Sequence, residues 1–266
     1  MKAAWLIDGF LVDREYGDSI VDALNHYGYE THIQEYNLTL PAIVPNNYTQ
    51  DRPVVLYGPH QFIKKLRSSF NPGAFCNEHN LRFSVFSANL PQDCMLNRLD
   101  VVKYLPFSHV KMFEEYRFAP FFLRPDVVTK TFAGHIVYEA LDISTLEQCT
   151  SVSDDTWCVV APERSIIAEF RYVIVNGKVI TGSQYRRDNV LDVRIDTMPG
   201  ADKLAQAIAE YEWQADTVYV CDIAETPYGF KVIELNSFSC AGLYACDKRK
   251  IALAVSEAAE LEFYDV

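Results

Sequence analysis

Apolar residues recur along the chain with two periods, and the change from one to the other divides it. Ala3–Phe10 is a short apolar run, Ser19–Tyr27 carries apolar residues at helical spacing, and His32–Tyr36 alternates. Together these predict a βαβ opening. Pro53–Tyr57 (PVVLY) predicts another buried strand, which Gly58-Pro59 breaks before a helical pattern over Gln61–Leu66. Strand, glycine and helix N-terminus in that order can cradle a bound anion, though one glycine favours a plain βα turn. Between 70 and 118 the pattern weakens. Asn71-Pro72-Gly73 marks a turn, and helices are expected around Gln92–Leu99 and Lys111–Tyr116. The domain boundary is expected near 95–118, giving an α/β N-terminal domain over 1–118 and a second domain over 119–266.

Strand patterns dominate after the boundary: Pro120–Arg124, Val137–Ala140, Thr156–Ala161, Ile166–Val175 and Lys178–Ser183. Asn176-Gly177 joins the last two as a hairpin turn, because both residue types tolerate the positive φ of a two-residue loop. Helices are expected over Ile143–Gln148, Ala201–Trp213 and Lys248–Leu261. The class is α/β with α+β character, without an internal repeat.

The stretch Tyr219–Tyr244 (YVCDIAETPYGFKVIELNSFSCAGLY) predicts two strands joined by a tight turn at Thr226-Pro227-Tyr228-Gly229-Phe230. A three-residue loop with Thr226 facing Phe230 sets the register. Asp222 then faces Glu234 and Val220 faces Asn236, while Cys221, Ile223 and Glu225 face Leu235, Ile233 and Lys231. One face is apolar and closed by an ion pair. The other gathers Asp222, Glu234 and Asn236, since directly opposed residues and residues two apart share a face. Oxygen donors without a base among them suit a hard cation such as Mg²⁺, which completes its shell with water and phosphate. The same pattern is also met by an ordinary hairpin with its carboxylates in water.

Composition narrows the field. The chain has 266 residues, 49% hydrophobic and 13% aromatic, enough for a sizeable core in one large or two small domains. No window is apolar enough to cross a bilayer, and Asp8 and Asp13 interrupt the N-terminal apolar run, so a soluble cytoplasmic protein is expected. Seven cysteines lack a CxxC pair and interleaved histidines, so neither a zinc site nor a disulfide framework is indicated, and free, mostly buried thiols are expected. A net charge of −12 argues against a nucleic-acid partner held by phosphate contacts.

Against that acidic background the local cations matter. Arg124 ends a strand, and Lys130-Thr131-Phe132-Ala133-Gly134 follows six residues later. A fork-like guanidinium, an ammonium and a short glycine-containing loop suit a polyphosphate, and also suit a solvated surface loop. Val159–Arg164 (VVAPER) is an apolar strand running into a kink, an edge able to meet a flat base. Glu169 and Arg171, two apart, share a strand face, as a buried ion pair would. Tyr185-Arg186-Arg187 return positive charge toward the same sheet end. Cations beside an Asp/Glu/Asn set are what a nucleoside triphosphate with Mg²⁺ requires.

The segments FLRPDVVTKTFAGHIV, VVAPERSIIAEFR, VNGKVITGSQYR and YVCDIAETPYGFKVIELNSFSCAGLY, in this order, resemble the successive motifs of the ATP-grasp superfamily. The resemblance is nearest to the divergent clade that contains the eukaryotic cell-division-cycle protein assembling a translation initiation factor, with bacterial and phage members. It runs strongly over residues 119–246 and loosely over 1–118. It implies an ATP-grasp core of two α+β subdomains that hold ATP between them, preceded by a small α/β domain. It implies Arg124 and Lys130 as phosphate-binding cations, Ala161, Pro162 and Glu163 as the adenine hinge, and Glu169 as a ribose contact. Arg171 and Arg186, with Lys130, resemble the cations that steady phosphate and acyl-phosphate, and Asp222, Glu234 and Asn236 the ligands of two Mg²⁺ ions. A glycine-rich loop of the usual form is missing, with only Gly134 in its place. The implied activity is an ATP-dependent carboxylate-amine (or thiol) ligase acting on a peptide, protein or small acid. An ATP-dependent assembly or binding module is the alternative, and a nucleic-acid ligase has only Arg186-Arg187 and Lys248-Arg249-Lys250 behind it. No Ser-His-Asp or Cys-His arrangement stands at informative spacing, which disfavours a protein nucleophile.

Overall fold

The βαβ opening forms in the computed structural model, which describes residues 1–12, 16–35, 44–49, 51–70, 73–112, 120–129 and 131–265. Strand β1 (Ala4–Asp8) leads through a short helix α1 (Gly9–Val12) and helix α2 (Ile20–His26) to strand β2 (Glu30–Gln34). Ser19 caps α2, its hydroxyl accepting from the Val21 N–H at 3.1 Å. Strand β3 (Val54–Tyr57) and helix α3 (His60–Leu66) follow. The three strands form a parallel sheet in the order β2-β1-β3. Every residue of β1 and β3 is buried, as in a parallel sheet covered on both faces.

The next stretch follows the pattern only in part. Helix α4 (Phe83–Asn89), strand β4 (Lys103–Pro106) and helix α5 (Phe107–Val110) lie in the region without clear periodicity. Gln92–Leu99 is turn rather than the expected helix. The Gln92 side chain explains this: its amide donates to the carbonyls of Ser87 and Leu90, and its oxygen accepts from the Leu99 N–H. Local side-chain bonds of this kind compete with a helical ladder. The expected helix at Lys111–Tyr116 falls mostly outside the described residues.

Strands β5 (Phe121–Pro125) and β6 (His135–Val137), helix α6 (Ala140–Cys149) and strand β7 (Trp157–Pro162) complete this part. The strand expected over Val137–Ala140 stops at Val137, because Asp142 accepts from the Tyr138 and Glu139 N–H groups and starts a helix there. The sheet runs antiparallel in the order β4-β7-β5-β6 over a core of Phe107, Leu123, Phe132, Ile143 and Val160.

Strands β8 (Ala168–Val175), β9 (Lys178–Arg187) and β10 (Val190–Arg194) form a meander. Helix α7 (Pro199–Ala209), the hairpin strands β11 (Val218–Thr226) and β12 (Gly229–Ser237), a 3-10 turn (Phe238–Cys240) and helix α8 (Lys248–Tyr264) close the chain. Asn176 and Gly177 sit at φ +48° and +70°, the two positive values a two-residue turn requires. Asp188 and Asn189, at +49° and +62°, repeat the device between β9 and β10, a strand the pattern did not predict. The five-stranded antiparallel sheet has the order β10-β9-β8-β11-β12.

By contacts the chain divides into two compact units, Met1–Asn77 with Ile166–Val266, and Glu78–Ser165. Within the first unit one core joins the parallel sheet to the antiparallel one. Trp5, Tyr57, Val173, Val220, Phe238, Ile251 and Val255 all belong to it. Helix α8 supplies the link, and Trp5 Nε1 donates to Ser256 Oγ on it at 2.9 Å. Among the described residues no helix is long and apolar enough to cross a membrane.

Candidate active site

The β11-β12 hairpin reaches its expected register by another route. The loop has two residues, Pro227 and Tyr228, so Thr226 pairs with Gly229 and Glu225 with Phe230. Gly229 sits at φ +102°, and Thr226 Oγ1 accepts from the Tyr228 N–H at 3.1 Å, which holds the tight turn. By parity an even loop would carry Asp222 and Glu234 to opposite faces. A bulge at Ile233 restores them: Ile223 pairs with Val232, but Asp222 pairs with Glu234 and Val220 with Asn236. The expected Glu225–Lys231 pair does not form. Lys231 opposes Ala224, and Glu225 lies 3.5 Å from the guanidinium of Arg187.

Strand β8 completes the row. Asp222 pairs with Arg171 on its other side, so Arg171, Asp222 and Glu234 stand opposite one another across three strands. Arg171 grips Asp222 with two bonds, Nε to Oδ1 at 2.9 Å and Nη2 to Oδ2 at 2.7 Å. Its Nη1 donates to the Gly242 carbonyl at 2.8 Å. Asn236 Nδ2 donates to Asp222 Oδ2 at 3.1 Å, which turns its own carbonyl oxygen away from that carboxylate. Asp222 is 0% exposed. Burial works against the Arg171 charge, but the attraction of Asp222 outweighs it and holds the guanidinium well above its ordinary pKa.

Two tyrosines flank this pair. The Arg171 guanidinium lies 5.4 Å from the ring of Tyr185 and 4.9 Å from that of Tyr244, and the two rings stack at 4.8 Å with 7° between planes. Tyr244 adopts φ +46°, a left-handed value that disfavours a large side chain. Burial, then the charges of Asp222 and Glu169, push the Tyr185 hydroxyl far up from its usual pKa. Tyr185 donates to Glu169 Oε2, and Arg186 Nη1 stands 3.6 Å from Glu169 Oε1. Burial raises the Glu169 pKa against the lowering effects of Tyr185 and Arg186.

Six expected site residues, Glu169, Arg171, Arg186, Asp222, Glu234 and Asn236, therefore sit together on one sheet of the first unit. The sequence pattern did not reveal Tyr185 and Tyr244 as partners of Arg171, although both lie in segments already singled out. Of the others, Arg124, Ala161, Pro162 and Glu163 belong to the second unit. Arg124 on β5 is buried with its guanidinium 5.8 Å from the Phe83 ring. Close by in sequence, Asp126 accepts from Ser84 N at 2.8 Å and from Ser84 Oγ. Ala161 and Pro162 end β7 opposite Phe122 and Phe121, and the exposed Glu163 receives a 3.4 Å bond from the Tyr138 hydroxyl. Lys130 lies outside the described residues.

A profile of the ATP-grasp domain, R2K clade family 2, matches residues 104–254, more than half the chain. The chain belongs to this ATP-grasp family. Solved structures share the ATP-grasp fold at low identity. D-cycloserine synthetase DcsG is similar with a TM-score of 0.59 and 12% identity over 97% of this chain and 99% of that one. D-alanine–D-alanine ligase from Bacillus anthracis gives 0.58 and 13% over 100% and 99%. The ATP-grasp ligase PsnB, complexed with a minimal precursor, gives 0.55 and 10% over 96% and 99%. No curated protein sequence matches the chain.

Proposed function

We propose that this ATP-grasp protein is an ATP-dependent ligase that joins a carboxylate to an amine or thiol through an acyl-phosphate. The observation that carries the reading is the row Arg171–Asp222–Glu234, flanked by Asn236 and Arg186, on a chain of this family. An acceptor carboxylate attacks the γ-phosphate of ATP, and ADP leaves. The amine then attacks the acyl carbon, and phosphate leaves. Arg186, half exposed, is the cation able to meet the transferring phosphate. Arg171 acts through Asp222, fixing that carboxylate and the Gly242 carbonyl in place. Arg124 and Lys130 are proposed phosphate contacts, Ala161–Glu163 the adenine contact and Glu169 a ribose contact.

The donor set fits Mg²⁺, because Glu234 and Asn236 offer hard oxygens and no nitrogen base. Asp222 fits less simply. Two Arg171 bonds and one from Asn236 occupy most of the roughly four lone-pair sites of a carboxylate. Glu234 and Asn236 are thus the residues that would hold Mg²⁺, with Asp222 behind them. Bound Mg²⁺ supplies positive charge to the phosphate in flight.

A peptide or protein acceptor belongs to the proposal because PsnB, one of the structural neighbours, has been solved with its precursor peptide. The test is ADP release with ATP, Mg²⁺ and a panel of peptides, amino acids and small acids, followed by mass spectrometry of the acceptors. The reading requires ADP release that depends on an amine or thiol acceptor, with a matching mass gain. ATP binding without any acceptor-dependent turnover would replace it with the assembly-module alternative. Lys130→Ala is expected to weaken nucleotide binding in calorimetry while leaving the protein folded.

A further inference from the structure

The basic run Lys248-Arg249-Lys250 does not form a surface patch of three cations. Arg249 and Lys250 are exposed, and Asp247 caps α8 by accepting from their N–H groups at 3.0 and 3.1 Å. Lys248 turns inward and is 2% exposed. Its ammonium donates to the carbonyls of Tyr16 at 3.2 Å, Cys246 at 3.1 Å and Tyr244. An ammonium is costly to bury unless it is hydrogen-bonded, and a charged donor makes bonds roughly twice as strong as a neutral one.

The loop this ammonium holds is the one packed on Arg171. Tyr244 stands at φ +46° with its ring 4.9 Å from the Arg171 guanidinium, and Gly242, two residues earlier, receives Arg171 Nη1 on its carbonyl. The Tyr16 ring lies 6.3 Å from that of Tyr244, so one buried cation ties together two neighbouring aromatic residues from opposite ends of the chain. Two further bonds fix the loop to the sheet. The Cys246 thiol donates to the Arg171 carbonyl at 3.7 Å, and the Asp247 N–H donates to Thr181 Oγ1 at 3.0 Å.

We propose that Lys248 is a positioning residue of the ligase reaction: it holds Tyr244 in its left-handed conformation and, through the Tyr244 ring and the Gly242 carbonyl, fixes Arg171 against Asp222 beside Glu234. This role rests on the ligase reading of the site. A bulky residue at positive φ occupies a sparsely populated region and stays there only when its surroundings impose it. Without the ammonium the Tyr244 carbonyl loses a donor, the loop relaxes, and the Arg171 guanidinium loses the ring and the carbonyl that set its direction. The consequence falls on phosphoryl transfer rather than on nucleotide binding, because the proposed contacts Arg124, Lys130 and Ala161–Glu163 stand outside this loop.

The test compares the full chain with Lys248→Met, Tyr244→Gly and the double variant, measuring ADP release with ATP, Mg²⁺ and the panel of peptides, amino acids and small acids, and ATP affinity by calorimetry. Methionine keeps an unbranched side chain without donors, and glycine accepts the left-handed φ without a ring. Each single variant is expected to lose about tenfold to a hundredfold in kcat per folded molecule, with the ATP Kd at its wild-type value. The double variant is expected to lose no more than Tyr244→Gly alone, since the two residues act along one path. Unchanged kcat in Lys248→Met, losses that multiply in the double variant, or a loss accounted for by weaker ATP binding would overturn the proposal. Should Lys248→Met alone not fold, the double variant against Tyr244→Gly decides, and a double variant that also fails to fold would show that Lys248 does not act through Tyr244. Wild type without acceptor-dependent ADP release would overturn the ligase reading itself, whereas wild-type release that Lys248→Met retains overturns only the role of Lys248.

Discussion

Asp222 and Glu234 are directly opposed carboxylates with different surroundings, and their substitution should separate structure from chemistry. Asp222 is fully buried against Arg171, and removing one partner of a buried pair strands the other charge, at a cost of about 3–5 kcal/mol. Asp222→Ala should lower the stability measured by urea unfolding by that amount. Glu234 is only half-buried, so Glu234→Gln should shift stability by about 1 kcal/mol or less. Its effect should fall on ATP turnover, on the order of a hundredfold. A destabilised Glu234→Gln with unchanged turnover per folded molecule would make Glu234 structural. Asp216 gives a second residue-scale expectation. Burial, with some help from the charge of Glu262, raises its pKa to about 7 although the Asn77 and Thr217 N–H groups donate to it. The folded state therefore holds this proton more tightly than the unfolded chain, whose value is 3.8. The stability it contributes is full below the unfolded value and is lost as pH rises toward about 7. Urea unfolding across that window should show the decline, and Asp216→Asn should flatten it.

At the scale of elements, the site depends on irregularities in otherwise regular strands. From the Asn176-Gly177 turn alone, an unbroken ladder would set Glu169 opposite Gln184. Register shifts between Val173 and Ile174 and between Glu169 and Phe170 instead bring Arg186 opposite Glu169. The bulge at Ile233 does the same service for Glu234. Turn chemistry is readable because it rests on two or three residues of special φ, whereas a bulge depends on which side chains pack on each face. Gly73 is another such point. It sits at φ +120°, where a Cβ would lie 2.0 Å from the Val54 carbonyl of β3, and its own carbonyl accepts from Leu56. Gly73→Ala should destabilise the protein by at least about 2 kcal/mol, since strain and a backbone clash add. A melting temperature equal to that of the wild type would show that this segment yields more easily than its contacts suggest.

At the scale of the molecule, an acidic chain of net charge −12 must meet a polyanion with locally placed cations. Specific binding of ATP to the folded state alone raises stability by RT ln(1 + [L]/Kd), about 2.7 kcal/mol at a hundredfold excess over Kd. A thermal scan should therefore show a raised melting temperature with ATP and Mg²⁺, and a smaller rise when a chelator removes the Mg²⁺. An ATP shift independent of Mg²⁺ would count against Glu234 and Asn236 as the proposed metal ligands.

By itself the sequence determined the elements with strong local signals: the βαβ opening, the Asn176-Gly177 hairpin, helices α7 and α8, and the order of motifs that marks an ATP-grasp chain. These are legible because period, caps and turn residues act within a few positions of one another. It also placed Asp222 opposite Glu234, though through a three-residue loop that the chain does not form. Tertiary structure alone decided what each charged group meets. That Arg171 grips Asp222 against Tyr185 and Tyr244, that Glu225 turns to Arg187, and that Gly58 and Phe75 meet at Ser239 all follow from strand register and packing between distant segments. Such contacts leave no periodic trace, because no local rule links residues 58, 75 and 239 until backbone hydrogen bonds hold them together.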